Sequence, residues 1–200
     1  MLPALFLSHG APTLVTDATP AHRFLQQLGK DMPRPTAILV GSAHWLTAVP
    51  TVSQAALPPT IHDFGGFPDA LYQMRYPAPG APELAHRISQ LIPDMVLHPS
   101  RGLDHGAWVP LKLIYPAADI PVLQISLQPE RGPRHHFELG QKLAGLRNED
   151  VLIIGSGSLT HNLYEVGTTA PAAISAATQF ADWMQEKVEA ADTEALLEYR

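Results

Sequence analysis

The sequence predicts an α/β fold: a single domain with a mostly parallel central sheet flanked by helices, and a metal site at the carboxyl ends of its strands. Two observations carry that expectation. Short continuous apolar runs alternate with segments of helical periodicity, the pattern of βαβ units. Three of the apolar runs also end in the same way, in small residues followed by a histidine: Leu5-Phe6-Leu7-Ser8-His9-Gly10, Ile38-Leu39-Val40-Gly41-Ser42-Ala43-His44, and Val151-Leu152-Ile153-Ile154-Gly155-Ser156-Gly157 with His161 just beyond. In an open α/β sheet the strand carboxyl ends form the ligand crevice, so histidines placed there can converge on one point.

The elements follow in order. Residues 4–7 read as a short buried strand. Phe24, Leu25 and Leu28 give the stretch from Pro20 to Gly29 an amphipathic helical face. Residues 36–41 form a second buried strand, and residues 49–53 a third that Pro58-Pro59 closes off. The stretch from Ile61 to Gly80 is a loop rich in glycine, proline and aromatics. A helix then starts near Pro82, where a missing N–H is harmless, with Leu84, Ile88, Leu91 and Ile92 inward. Arg101 to Gly106 is a turn, and Trp108 to Tyr115 a short helix. Residues 121–127 read as a strand, 133–146 as a helix, 151–155 as the third strongly apolar strand, and Pro171 to Ala191 as a longer helix. No repeat or linker divides residues 1–200, a length that fits one domain.

Composition narrows the chemistry. The chain is 46% hydrophobic and 16% charged, as a globular protein is, and its net charge of -6 leaves no basic footprint for nucleic acid. It has no cysteine, so disulfides, thiolate ligands and a cysteine nucleophile are excluded, and a metal must be held by His, Asp or Glu. The start lacks a signal-peptide pattern and no apolar run reaches the roughly 20 residues that span a bilayer. The expectation is a soluble cytoplasmic protein without a membrane partner. The 20 prolines are spread between the apolar runs and indicate rigid, ordered loops.

His9 and His44, at matching strand ends and each flanked by Ser and Gly, are the leading metal ligands. Neutral imidazoles suit Zn and Fe, and two of them with a carboxylate and open positions make the pattern of non-haem Fe(II) oxygenase sites. His161 is either a third metal ligand or a general acid/base beside the metal. His105, between Asp104 and Gly106, is a catalytic candidate oriented by a carboxylate. His62 and Asp63 are substrate-binding candidates, in a loop where Phe64 and Phe67 can wall an aromatic pocket. The pair His135-His136, with His22, His86 and His98, reads as surface. Three other chemistries fail on spacing: Gly155-Ser156-Gly157-Ser158 is too short for a phosphate loop and lacks its Lys, Gly41-Ser42-Ala43-His44 is no nucleophile elbow, and no His-Glu-x-x-His helix occurs.

The stretches LFLSHGAPT, PRPTAILVGSAHW, PPTIHDFGGFPDALYQMRYPAPGAPELA, GLDHGAWVPL, DIPVLQISL and GSGSLTHNL run from residue 5 to about 165 almost without a gap. In combination they resemble the class III extradiol ring-cleavage dioxygenases, the LigB-like superfamily, and within it the bacterial DOPA 4,5-dioxygenase branch. The resemblance implies one divalent metal per chain held by His9 and His44, with His161 at its edge and His62 and His105 around a catechol. It implies Fe(II) for activity, Zn in the site of some members, and a small aromatic diol and O2 as reactants. The ring would open beside, rather than between, its two hydroxyl-bearing carbons. The family pattern also places a further His or Glu ligand near the C-terminus. No histidine follows His161 here, so the expectation is a catalytic domain lacking that C-terminal segment, with His161 as substitute and Glu194 or Glu198 as further candidates. Two other readings compete: a non-catalytic metal-binding or protein-interaction module of the same superfamily, and a zinc hydrolase, for which no carboxylate base is evident.

Overall fold

Strands buried on both faces need apolar residues at successive positions, and the runs at residues 37–41 and 151–155 form adjacent central strands for that reason. The run at 4–7, expected to be buried, is instead an edge strand with only Leu7 buried and Phe6 exposed. The computed structural model describes residues 1–165, 167 and 169–199. Its six strands are β1 (Ala4–Ser8), β2 (Ala37–Leu46), β3 (Thr51–Ser53), β4 (Val96–His98), β5 (Val122–Leu127) and β6 (Val151–Gly157), arranged β1-β6-β2-β5-β3-β4. The first four in that order are parallel. β3 runs antiparallel to β5, and β4 parallel to β3. The sheet is therefore mostly parallel, as the sequence predicts.

The helices are α1 (Pro20–Asp31), α2 (Asp69–Gln73), α3 (Pro82–Leu91), α4 (His105–Ile114), α5 (Gly132–Leu143), α6 (Pro171–Glu189) and α7 (Thr193–Leu197). Successive strand residues point to opposite faces, and the core divides accordingly. Ile38, Val40, Val122, Leu152 and Ile154 pack with Leu25 of α1 and with Trp108 and Leu111 of α4. On the other face Leu39, Leu123, Ile125 and Val151 pack with Ile88 of α3 and with Leu139 and Leu143 of α5. Nine of the ten α4 residues are buried, which makes it the central helix of its layer.

Four local differences from the sequence reading have physical causes. β2 continues past Gly41 through His44 to Leu46, with a register shift against β5 that carries it beyond the apolar run. β4 is only three residues long, too short for a pattern to show. α4 begins at His105 rather than Trp108, so the histidine lies in the helix and not in the turn before it. The helix expected to reach residue 146 ends at Leu143 and tightens into a 3-10 segment, Ala144–Glu149.

Candidate metal centre

Three elements bring one imidazole each to the carboxyl ends of β1, β2 and β6. His9 follows β1 and is buried, with Gly10 behind it at φ 59° turning the chain away. His44 lies in the last part of β2, and His105 is the first residue of α4. One ligand atom from each lies within 4.8 Å of the others. The Nε2 atoms of His9 and His44 are 2.9 Å apart, close to the roughly 3 Å expected between two nitrogens that each bond a metal at about 2.1 Å.

The surrounding bonds fix where the ring protons sit. Ser156 Oγ donates its only proton to the carbonyl of Gly106, so it must accept from His9 Nδ1, 2.9 Å away. That leaves the His9 Nε2 lone pair facing His44. Asp63 Oδ1 accepts from the backbone N–H of His105 and from its Nδ1, both at 2.9 Å, which leaves His105 Nε2 as a lone pair too. His44 Nδ1 faces Asp63 Oδ2 at 3.9 Å.

Burial, then the neighbouring His44 and His105, pushes the His9 pKa down to about 4. Burial and His105 lower that of His44 in the same direction. Burial alone would raise the Asp63 carboxyl, but the bonds from His105 outweigh it and bring it to about 2. The centre is thus three convergent imidazoles, with His9 and His44 both disfavouring the protonated form, beside a carboxylate held ionised, a donor set that a divalent first-row metal takes.

A cleft of about 1200 Å³ opens beside the cluster, lined by His44, His105, Phe64, Phe67, Thr160 and His161 among others. His161 is exposed on the cleft wall, outside the three-imidazole group, yet close enough to influence the charge of both His9 and His44. His62 bonds the Met74 carbonyl at 3.0 Å and stands in an aromatic wall with Phe64, Tyr72 and Trp108. Asp63 points to His105, so the carboxylate that orients His105 comes from this loop and not from the adjacent Asp104. Glu194 and Glu198 face Arg134 on the surface.

Among the histidines read as surface, His86 is exposed, whereas His22 bonds the Leu14 carbonyl and His98 packs edge-on against Trp45. His135 and His136 are half-buried against Gln128. Ser42, Ser156, Asp104 and Gln124 surround the cluster, all buried. Sequence reasoning treats the two serines only as small neighbours. The available signal is that both stand at a Gly-Ser strand end, one preceding His44 by two positions.

The family described as the catalytic LigB subunit of aromatic ring-opening dioxygenase matches residues 3–200. The chain belongs to that family. Among curated relatives it is 48% identical over 168 residues to a protein of Escherichia coli (strain K12) named 4,5-DOPA dioxygenase extradiol, a match covering 82% of this chain and 62% of the relative. A Beta vulgaris protein of the same name is 51% identical over 164 residues, covering 78% of this chain and 61% of that protein. The chain therefore spans about three fifths of the length of these relatives. Its fold is similar to the crystal structure of an uncharacterized protein from Escherichia coli K12, with a TM-score of 0.78, 36% identity, and coverage of 100% of this chain and 79% of the other.

Proposed function

We propose that this chain carries the activity its family name describes, as an extradiol dioxygenase that opens a catechol ring of the DOPA type with O2 at one non-haem metal ion. The observation that carries the reading is the convergence of His9, His44 and His105 beneath an aromatic-walled cleft. Fe(II) is the proposed active ion, and Zn a competitor with the same taste for imidazole. The bound ion supplies the one-electron chemistry that lets O2 react with an aromatic diol.

The remaining work falls to the protein. His9 and His44 hold the metal, and His105, oriented by Asp63, offers the third nitrogen. His161 stands on the cleft side, where it can take a hydroxyl proton from the diol and return it later. Phe64 and Phe67, edge to face, give the cleft an apolar aromatic wall for a ring, with His62 packed edge-on against Phe64. The cytoplasm is the proposed setting, with no nucleic-acid or membrane partner. Among the described residues no helix is long and apolar enough to cross a membrane.

The test is anaerobic Fe(II) loading followed by oxygen uptake with DOPA and unsubstituted catechol. The expected result is stoichiometric uptake with a yellow ring-opened product, lost with the metal in His9→Ala. His161→Ala should keep the metal and lose about 10²–10⁴-fold in kcat. Stoichiometric metal with no uptake would sink the dioxygenase reading and favour a metal-binding module.

A further inference from the structure

The three imidazoles come from distant parts of the chain, yet all three are tied to one turn, Asp104-His105-Gly106, at the start of α4. Asp104 stands at the N-cap position but does not cap its own helix. That role passes to Asp63, which accepts from the His105 N–H. The Asp104 carboxylate, fully buried, instead points into the sheet. Its Oδ1 accepts from Ser42 Oγ at 2.7 Å, and its Oδ2 from Arg101 and from Gln124 Nε2, each at 2.8 Å. Gln124 Oε1 accepts in turn from the Asp104 backbone N–H at 2.9 Å.

The Gly106 carbonyl is just as unusual. Residue 110 is a proline and has no N–H, so this carbonyl lacks the donor that a helix normally supplies four residues on. It takes the Ser156 hydroxyl instead.

Two hydroxyl bridges of the same polarity result. Ser156 donates to Gly106 and accepts from the ring of His9. Ser42 donates to Asp104 and accepts from the backbone N–H of His44 at 3.2 Å. Each serine therefore connects the first turn of α4 to one histidine, and neither lines the cleft. A side chain at position 106 would overlap Ser42 Oγ and press His44 Cδ2 at 3.1 Å, so the turn must carry glycine there to approach so closely.

We propose that Ser156 and Ser42 are positioning residues, hydroxyl struts through which the first turn of α4 sets the His9 tautomer and the placement of His44. The proposal rests on the metal reading given above for its purpose, but its tautomer claim stands without metal. Ser156 selects the Nδ1–H form of His9 and keeps the Nε2 lone pair aimed at the centre. Without that hydroxyl the ring can place its proton on Nε2, where it blocks a ligand atom.

The test combines nitrogen NMR of the imidazole rings in the metal-free protein with titration by Co(II) alone. Ser156→Ala should move His9 toward the Nε2–H tautomer and weaken Co(II) binding by about 10–100-fold, the usual cost of losing a group that orients a ligand. Ser156→Thr, which keeps the hydroxyl, should retain the Nδ1–H form. A Ser156→Ala protein that keeps that form and binds Co(II) within about twofold of wild type overturns the proposal. If Ser156→Ala does not fold, Ser42→Ala is read on the same scale, and unchanged Co(II) affinity there overturns it equally. A wild-type protein that binds no Co(II) refutes the metal reading, while the His9 tautomer still decides the role of Ser156.

Discussion

His9 and His44 resist protonation, because an added charge on either would be both desolvated and repelled by the neighbouring imidazoles. The His9 pKa of about 4, set by burial and then by His44 and His105, lies below the ordinary value of 6.5. The unfolded chain therefore binds a proton that the folded chain refuses. Above pH 6.5 both states are neutral at His9 and stability is unaffected. As pH falls from 6.5 toward 4 the unfolded state gains, by up to about 1.4 kcal/mol per pH unit. Asp63 extends the loss, since its stabilising ionised form, with a pKa of about 2 against an ordinary 3.8, is given up as pH falls through that lower range. Chelator-treated protein should lose thermal stability from pH 6.5 to 4, and His9→Gln should flatten that slope. An unchanged slope would show that His9 is not the group held neutral. At this scale the sequence makes His9 and His44 legible, because a strand end shows where its side chain will point. The carboxylate partner of His105 was not legible. Asp104 adjoins it in sequence, but Asp63 approaches it in space, and only the folded loop from Ile61 to Gly80 decides between them.

Among the elements, α1 and α4 approach more closely than their side chains alone would allow. A Cβ at Gly29 would overlap the carbonyl oxygen of Ile114, so the helices pack backbone to backbone there. Glycine inside a helix normally costs about 0.5–1 kcal/mol relative to alanine. Gly140 in α5 has open space around its Cβ direction and obeys that rule. Gly140→Ala should therefore stabilise by about that amount, whereas Gly29→Ala should destabilise by about 1–3 kcal/mol through overpacking. Denaturant midpoints of the two variants check the opposite signs, and a stabilised Gly29→Ala would refute the close approach. The periodicity that makes α1, α3 and α5 legible is a one-face pattern, and it says nothing of how near the opposing backbone lies. The central strands β2 and β6 are legible because burial on both faces leaves continuous runs, while β1 shows an apolar run although it lies at the sheet edge with Phe6 exposed. β4 is not, because three residues cannot show a period, and the extension of β2 to Leu46 is not, because its residues beyond Gly41 are pinned by neighbours rather than by hydrophobicity.

For the molecule as a whole, the centre joins positions 9, 44 and 105, which the chain brings together only when β1, β2 and α4 have docked. An ion held by those nitrogens would be a cross-link between distant segments, and it would have no comparable site in the unfolded chain. Binding must then raise stability by mass action, by about 2.7 kcal/mol at a hundredfold excess over Kd. For a chain of this length that corresponds to a rise in Tm of about 5–10 °C. Removing metal by chelation should lower Tm by that amount, and restoring it should return Tm in a concentration-dependent way. His44→Ala should abolish the dependence, because it removes one arm of the cross-link and leaves the others too few to hold the ion. His161→Ala should preserve it, because His161 stands on the cleft wall outside the three-imidazole group. If instead His161→Ala removes the dependence and His105→Ala does not, then the third nitrogen comes from the loop after β6. The cross-link would in that case join β1, β2 and that loop, and His105 with Asp63 would become the proton-handling pair.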